Sequence, residues 1–330
     1  MKSSPSRLDS SREGCPSESE PGLVSCTGCA DRLWRITYMG EKNMIGIIDV
    51  GGGLRGIFGA GVTDFLMDRK IMLDYCIGVS AGSANLCSYE AGQMFRNYDF
   101  YTDYCFREET MSWHNFAKTG SYVDLEYTYG ELSAEDGEYP LDYEAMSSCR
   151  SPFVIVTTNA ETGMPEYFTK DDMSNGDYRV IMASSTVPVI NKPYEIGGVK
   201  YLDGGLSDPI PYKKAFEDGC DALVVVLTRP KGEWRKPGKD EAFARVLNFS
   251  YPESAKRLWE RADLYNTQMA EVMQLEADGN VLIVAPEDIS GLKTLTRNID
   301  QLKSLYRQGL VAAQAIPNFL KYHGWTGDQN

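Results

Sequence analysis

From residue 44 onward, short apolar runs alternate with segments whose apolar residues recur three and four positions apart. The runs Met44-Ile-Gly-Ile-Ile-Asp-Val50 and Asp74-Tyr-Cys-Ile-Gly-Val79 predict buried strands, and helical spacing follows each, over Ile57 to Arg69 and over Ala81 to Gln93. Later β-branched runs, Phe153 to Thr158, Val199 to Leu202, Ala222 to Leu227 and Val281 to Val284, are interleaved with helical stretches. This alternation predicts an α/β layer architecture. The segment Asn97 to Cys149 interrupts it, being rich in Tyr, Phe and acidic residues with no strand register. It reads either as a cap over a site or as an excursion that packs its aromatics into the core. Two long helices are expected to close the chain, Pro252 to Ala277 and Ile299 to Tyr322. On the first, Leu258, Ala262, Tyr265, Met269, Val272 and Met273 recur at helical spacing and mark a core face.

Residues 1–30 carry no such pattern. They are rich in Ser, Pro, Glu and Gly with little to pack, so residues 1–40 are expected to be a disordered tail ahead of a single domain over 44–330. Met39 and Met44 stand just before the first strand, so an upstream start codon would account for the tail. Intact Met1 or Lys2 in N-terminal mass spectrometry of the native protein would remove that idea.

The formal charge is −14, and the first 43 residues contribute nothing to it, since six Lys/Arg balance six Asp/Glu. The acidity therefore belongs to the folded body. No Lys/Arg cluster stands out along the chain, so nucleic acid and anionic bilayers, phosphoinositides included, are excluded as expected partners. The eight cysteines are scattered without framework spacing, which suits reduced thiols and a cytoplasmic location. Cys26-Thr-Gly-Cys29 has metal-ligand spacing, but there is no second pair and only two histidines, so no metal site is expected. No apolar run reaches membrane-spanning length. Oligomeric state is not legible.

Three motifs carry chemistry. Asp49-Val-Gly51-Gly52-Gly53-Leu54-Arg55-Gly56 lies where a buried strand gives way to a helix. Glycines there free backbone N–H groups that suit a phosphate or a developing oxyanion, and Gly51-x-Gly53-x-x-Gly56 also matches the dinucleotide fingerprint. The nucleotide reading wants an acidic residue ending the next strand, whereas Asp74 begins it and Gly78 stands near its end. The second motif, Gly78-Val79-Ser80-Ala81-Gly82, has the strand, turn, helix setting of a nucleophile elbow. The third, Tyr201-Leu202-Asp203-Gly204-Gly205, ends a short strand, and Asp-Gly is also common hairpin chemistry.

A serine hydroxyl needs a base, usually histidine. His114 lies in the irregular segment and His323 at the end of the last helix. The order Ser80, Asp203, His323 satisfies an α/β-hydrolase triad, so that reading stays open beside a Ser80–Asp203 dyad. The dyad makes a demand, namely that Asp203 be desolvated enough to raise its proton affinity.

Taken together, the triple glycine with Arg55, the elbow around Ser80 and the later Asp203-Gly204-Gly205 resemble the patatin-like phospholipases, and their bacterial branch most closely. Ala183-Ser184-Ser185-Thr186-Val187-Pro188 before the aspartate strand and Leu206-Ser207-Asp208-Pro209-Ile210-Pro211 after it extend the likeness, which runs from about Met44 past Pro230. The resemblance implies a three-layer α/β fold with a central, mostly parallel sheet flanked by helices. It implies a lipid acyl hydrolase with Ser80 as nucleophile and Asp203 as base. Gly51, Gly52 and Gly53 would form the oxyanion hole, with Arg55, Gly56, Gly78, Gly82, Gly204 and Gly205 completing the motifs. The substrate would be an acyl ester of a phospholipid, lysophospholipid or neutral lipid, met at a transient membrane or micelle contact and hydrolysed without a cofactor.

Overall fold

In a computed structural model, which describes residues 43–289 and 291–325, the apolar runs at 45–49, 75–79, 153–158 and 222–226 form strands buried on both faces, and shorter, more exposed strands extend the sheet. The strands are β1 (Ile45–Asp49), β2 (Tyr75–Val79), β3 (Phe153–Asn159), β4 (Pro165–Thr169), β5 (Tyr194–Ile196), β6 (Val199–Asp203), β7 (Ala222–Val226) and β8 (Val281–Val284). They make one sheet in the order β5-β6-β3-β2-β1-β7-β8, with β4 paired to β3. β3, β2, β1, β7 and β8 run parallel, while β4, β5 and β6 are antiparallel to their neighbours. The helices are α1 (Ile57–Asp68), α2 (Ala81–Glu90), α3 (Arg96–Thr102), α4 (Trp113–Thr119), α5 (Tyr143–Ser148), α6 (Arg179–Ser184), α7 (Tyr212–Glu217), α8 (Lys239–Leu247), α9 (Pro252–Ala277), α10 (Ile299–Ala312) and α11 (Ile316–Tyr322).

Side-chain alternation divides the core into two layers. In β1, Ile45 and Ile47 face a cluster built with α1, α2 and α10, whereas Ile48 faces one built with α7 and α9. In β7, Val224 and Val226 join the first cluster, and Leu223 and Val225 the second. Helices on both faces explain why these strands read as unbroken apolar runs and not as alternating ones. The result is a three-layer α/β fold around a mostly parallel mixed sheet. Among the described residues no helix is long and apolar enough to cross a membrane.

Several elements depart from the pattern. The interval 97–149 holds the short helices α4 and α5, most of α3, and a π-helical turn, Glu126–Glu131. The expected helix from Ile299 to Tyr322 is broken by a 3-10 turn at Ala313–Ala315, just before Pro317 in the first turn of α11. Proline has no N–H to donate and its ring crowds the carbonyl four residues back. The turn after Asp203 is a short 3-10 helix, Gly204–Leu206, and no hairpin. The hairpin lies earlier, joining β5 to β6 through Gly197 and Gly198, both at positive φ. The tail and Cys26-Thr-Gly-Cys29 lie outside the described residues.

Candidate active site

The register of β3 brings two distant strand ends together. Val156 pairs with Val79 of β2 on one edge and with Tyr167 of β4 on the other. One residue on, Thr157 pairs with Glu166 of β4 and Asp203 of β6. Because β4 fills the far edge throughout, β2 and β6 must share the near edge, and they meet there with their C-terminal ends head to head. Ser80 follows β2 and Asp203 ends β6, so the two become neighbours although the chain separates them by the whole of the excursion.

At the point where β2 leaves β3, Ser184 of α6 closes the ladder. Its hydroxyl donates to Val156 O (2.7 Å) and accepts from Ser80 N (2.9 Å). Ser80 itself has φ 56°, ψ −131°, a conformation that L residues reach at a cost of about 1–3 kcal/mol and keep only where the surroundings enforce it. The flanking glycines permit the enforcement, since a Cβ on Gly82 would collide with the Asp49 carbonyl and one on Gly78 with the backbone of Ser83.

The triple-glycine loop lies against this elbow. Gly51, Gly52 and Gly53 all have positive φ (61°, 125° and 60°), which admits little but glycine. Thr228 Oγ1 donates to Gly51 O, and Leu54 N donates to Thr294 O (2.8 Å). The N–H of Gly51 already donates to Asp49 Oδ1 (2.9 Å), which corrects the expectation that all three glycines are open donors. The next two N–H groups, those of Gly52 and Gly53, stand at the start of the 3-10 helix Gly53–Gly56, where no intrahelical acceptor exists. Asp49 is fully buried, and burial lifts its carboxyl to about 6 against the bonds from Asn85 and Gly51. Asn85 Nδ2 reaches both Asp49 Oδ2 (2.8 Å) and Gly56 O (2.9 Å), tying the loop to α2. The side chain of Arg55 is sequestered beneath the loop. Its Nη1 donates to Thr294 Oγ1 (3.2 Å), and burial, reinforced by Arg229, lowers it to about 10.

Asp203 is 5% exposed and Ser80 7%. Burial raises the Asp203 carboxyl above its ordinary value, which meets the demand stated above. Arg261, the nearby Ser80 side chain, Gly205 N (2.8 Å to Oδ1) and Arg235 oppose that rise in decreasing order. Arg261 belongs to α9, and its Nε donates to Gly205 O (2.8 Å). Burial raises the phenol of Tyr129, in the π-helical turn of the 97–149 excursion, to about 12, and the Asp203 carboxylate is the smallest of the further influences on it.

Neither histidine joins this group. His114 is exposed on α4. His323 Nε2 sits 2.9 Å from Gly279 O, just ahead of β8, and its backbone carbonyl accepts from Asn43 just ahead of β1. That is the N-terminal edge of the parallel strands, opposite to the edge where Ser80 stands. Asp74 also lies at that far edge, accepting from Ile45 N (3.0 Å), so it offers no ribose contact beside the glycine loop. Ser184, Thr228, Asn85 and Arg261 lie in no site motif of the sequence, because each acts across a contact far away along the chain. Only Ser184 had a signal, its place in the Ala183–Pro188 segment.

A family model described as patatin-like phospholipase matches residues 50–216, half of the chain, and a domain of unknown function matches residues 251–322. The uncharacterized protein YjjU of Escherichia coli (strain K12) is 28% identical over 239 residues, which is 71% of this chain and 65% of that protein, so the chain spans just under two thirds of this relative's length. Among solved structures, VipD from Legionella pneumophila aligns over 85% of this chain and 67% of its own at 12% identity, with a TM-score of 0.44. On the match over residues 50–216, which takes in the glycine loop, Ser80 and Asp203, the chain belongs to the patatin-like phospholipase family.

Proposed function

We propose that this protein hydrolyses acyl esters of lipids, with Ser80 as nucleophile, Asp203 as its base, and the N–H groups of Gly52 and Gly53 as oxyanion donors. The observation that carries the reading is the Ser80 hydroxyl set against a desolvated carboxylate at a strained strand-to-helix turn. A carboxylate deprived of water binds a proton more tightly and is the stronger base. Asp203 takes the hydroxyl proton as Oγ bonds to the ester carbon. The tetrahedral oxyanion is held by the glycine loop, and collapse expels the alcohol, which receives the proton from Asp203. Water, activated by the same carboxylate, then releases the fatty acid from Ser80. With Ser80 and Asp203 nearly buried, and the π-helical turn of the excursion packed on α6, whose Ser184 holds Ser80, the excursion 97–149 is read as a cap over the acyl site.

The test is a panel of acyl esters of graded chain length together with a lysophospholipid, a diacylphospholipid and a triacylglycerol. Release of fatty acid from at least one long-chain member is expected. No release from any of them, with the protein folded, overturns the proposal.

Arg261 gives the reading a finer test. Its positive charge is the largest influence holding Asp203 ionised against burial. Arg261→Met is expected to move the acid limb of the kcat/KM profile to higher pH, because Asp203 then keeps its proton longer. Arg261→Lys should show little of this shift, since it keeps the charge without the bond to Gly205. An unmoved acid limb in Arg261→Met contradicts Asp203 as the titrating base.

A further inference from the structure

The net charge of −14 conceals a basic stretch. From Arg229 to Arg261 the chain carries nine Lys/Arg against five Asp/Glu, and once the pairs Arg229–Glu233 (2.7 Å) and Arg235–Asp240 (3.4 Å) are set aside seven stand against three. This stretch spans α8 and the N-terminal part of α9. One face of α8 is fixed to the fold, with Ala244 and Leu247 packed among Leu202, Leu206, Ala255 and Leu258. The other face is bare. Ala242, Arg245, Val246 and Phe249, three, four and seven residues along from the first, are all exposed, and Phe249 just past the helix end is 92% exposed. Trp259 of α9, 48% exposed, continues the strip, with the Arg245 guanidinium 6.0 Å from its ring centroid. Lys256 is exposed one turn earlier on α9.

We propose that this face, Arg245, Val246, Phe249, Lys256 and Trp259, docks on an anionic lipid bilayer. Aromatic side chains with basic neighbours on a rigid, half-buried helix pair match the lipid–water boundary, where rings enter the headgroup layer while Lys and Arg meet lipid phosphates. The acidity of the rest of the chain acts weakly at contact, because charges are screened over about 8 Å at physiological ionic strength. A second exposed aromatic patch, Trp113 (75% exposed) and Phe116 on α4, lacks this complementarity, because residues 107–126 carry two Lys/Arg against four Asp/Glu. The docking face is linked to the candidate site through the core beneath it. Leu202 and Leu206, which α8 covers, bracket Asp203, and Arg261 of the same α9 holds Gly205. The choice of a lipid surface over a protein one rests on the proposed hydrolysis of lipid esters.

The experiment uses the full chain with Ser80→Ala, so that binding is read without turnover, and vesicles of phosphatidylcholine alone or mixed with phosphatidylglycerol. Co-sedimentation is expected with the mixed vesicles, falling as salt is raised. The double variant Phe249→Glu/Trp259→Glu should weaken it by about tenfold or more. Trp113→Glu should leave it unchanged. Far-UV circular dichroism and hydrolysis of a short soluble ester, measured for the double change in the Ser80 background, confirm that the fold is kept. The proposal is overturned by equal binding to both vesicle types, by binding that the double variant retains, or by gel filtration showing that a second copy covers the face. Normal vesicle binding by a protein that hydrolyses no ester on the panel overturns the proposed function and leaves the docking surface standing.

Discussion

Ser80→Ala is expected to abolish covalent labelling by a fluorophosphonate probe and to lower ester hydrolysis by about 10⁴- to 10⁶-fold, the range seen when a serine nucleophile is removed. The variant isolates chemistry from folding. The constraints that hold Ser80 at φ 56° come from its surroundings, namely the Ser184 hydroxyl on its N–H and the close passage of Gly82 along Asp49. None of these uses the Ser80 hydroxyl, and alanine tolerates the conformation about as well as serine does. The melting temperature should therefore stay near that of the parent, and the loss should appear in labelling and turnover alone. Stoichiometric labelling that persists in Ser80→Ala would place the nucleophile elsewhere. Ser83 and Ser184, whose hydroxyls lie 3.2 Å apart behind the elbow, would be the first to examine.

What the sequence shows of this site is its local part. β1 and β2 are legible because strands covered on both faces must be apolar throughout, and the turns after them because Gly51–Gly53, Gly78 and Gly82 have conformational and steric reasons to be glycine. Register leaves no such trace. Nothing in Val199–Asp203 announces that the strand runs antiparallel to β3 and meets β2 end to end, and β4 and β5 are half-exposed strands that the apolar pattern passes over. The same limit applies to hydrogen bonds. That the Gly51 N–H is taken by Asp49, or that Ser184 fills the gap in the ladder, depends on distances that no spacing encodes.

The sharpest remaining contrast is Asp203 against His323. Asp203→Asn is expected to reduce turnover by about 10⁴-fold, and His323→Ala to leave it at the parental level. Asparagine keeps the shape of the carboxylate and can still accept from Gly205 N, but it takes up no proton, so Ser80 would lose its base while the turn persists. His323 is bonded at the start of β8, and a five-residue strand alone spans roughly 16 Å, which puts the imidazole beyond reach of the Ser80 hydroxyl at the opposite edge. Stability should move the other way from activity. Since burial raises the Asp203 carboxyl, the folded state binds its proton more tightly than the unfolded chain does, so the ionised form costs stability increasingly as pH rises from the unfolded value through the folded one. The cost is fully present once the pH exceeds the folded value, and a neutral amide removes it. Asp203→Asn should therefore melt at the same temperature as the parent or a higher one at neutral pH, with the difference shrinking toward acid pH. Turnover that survives this change, or that disappears in His323→Ala, would return the base to a histidine.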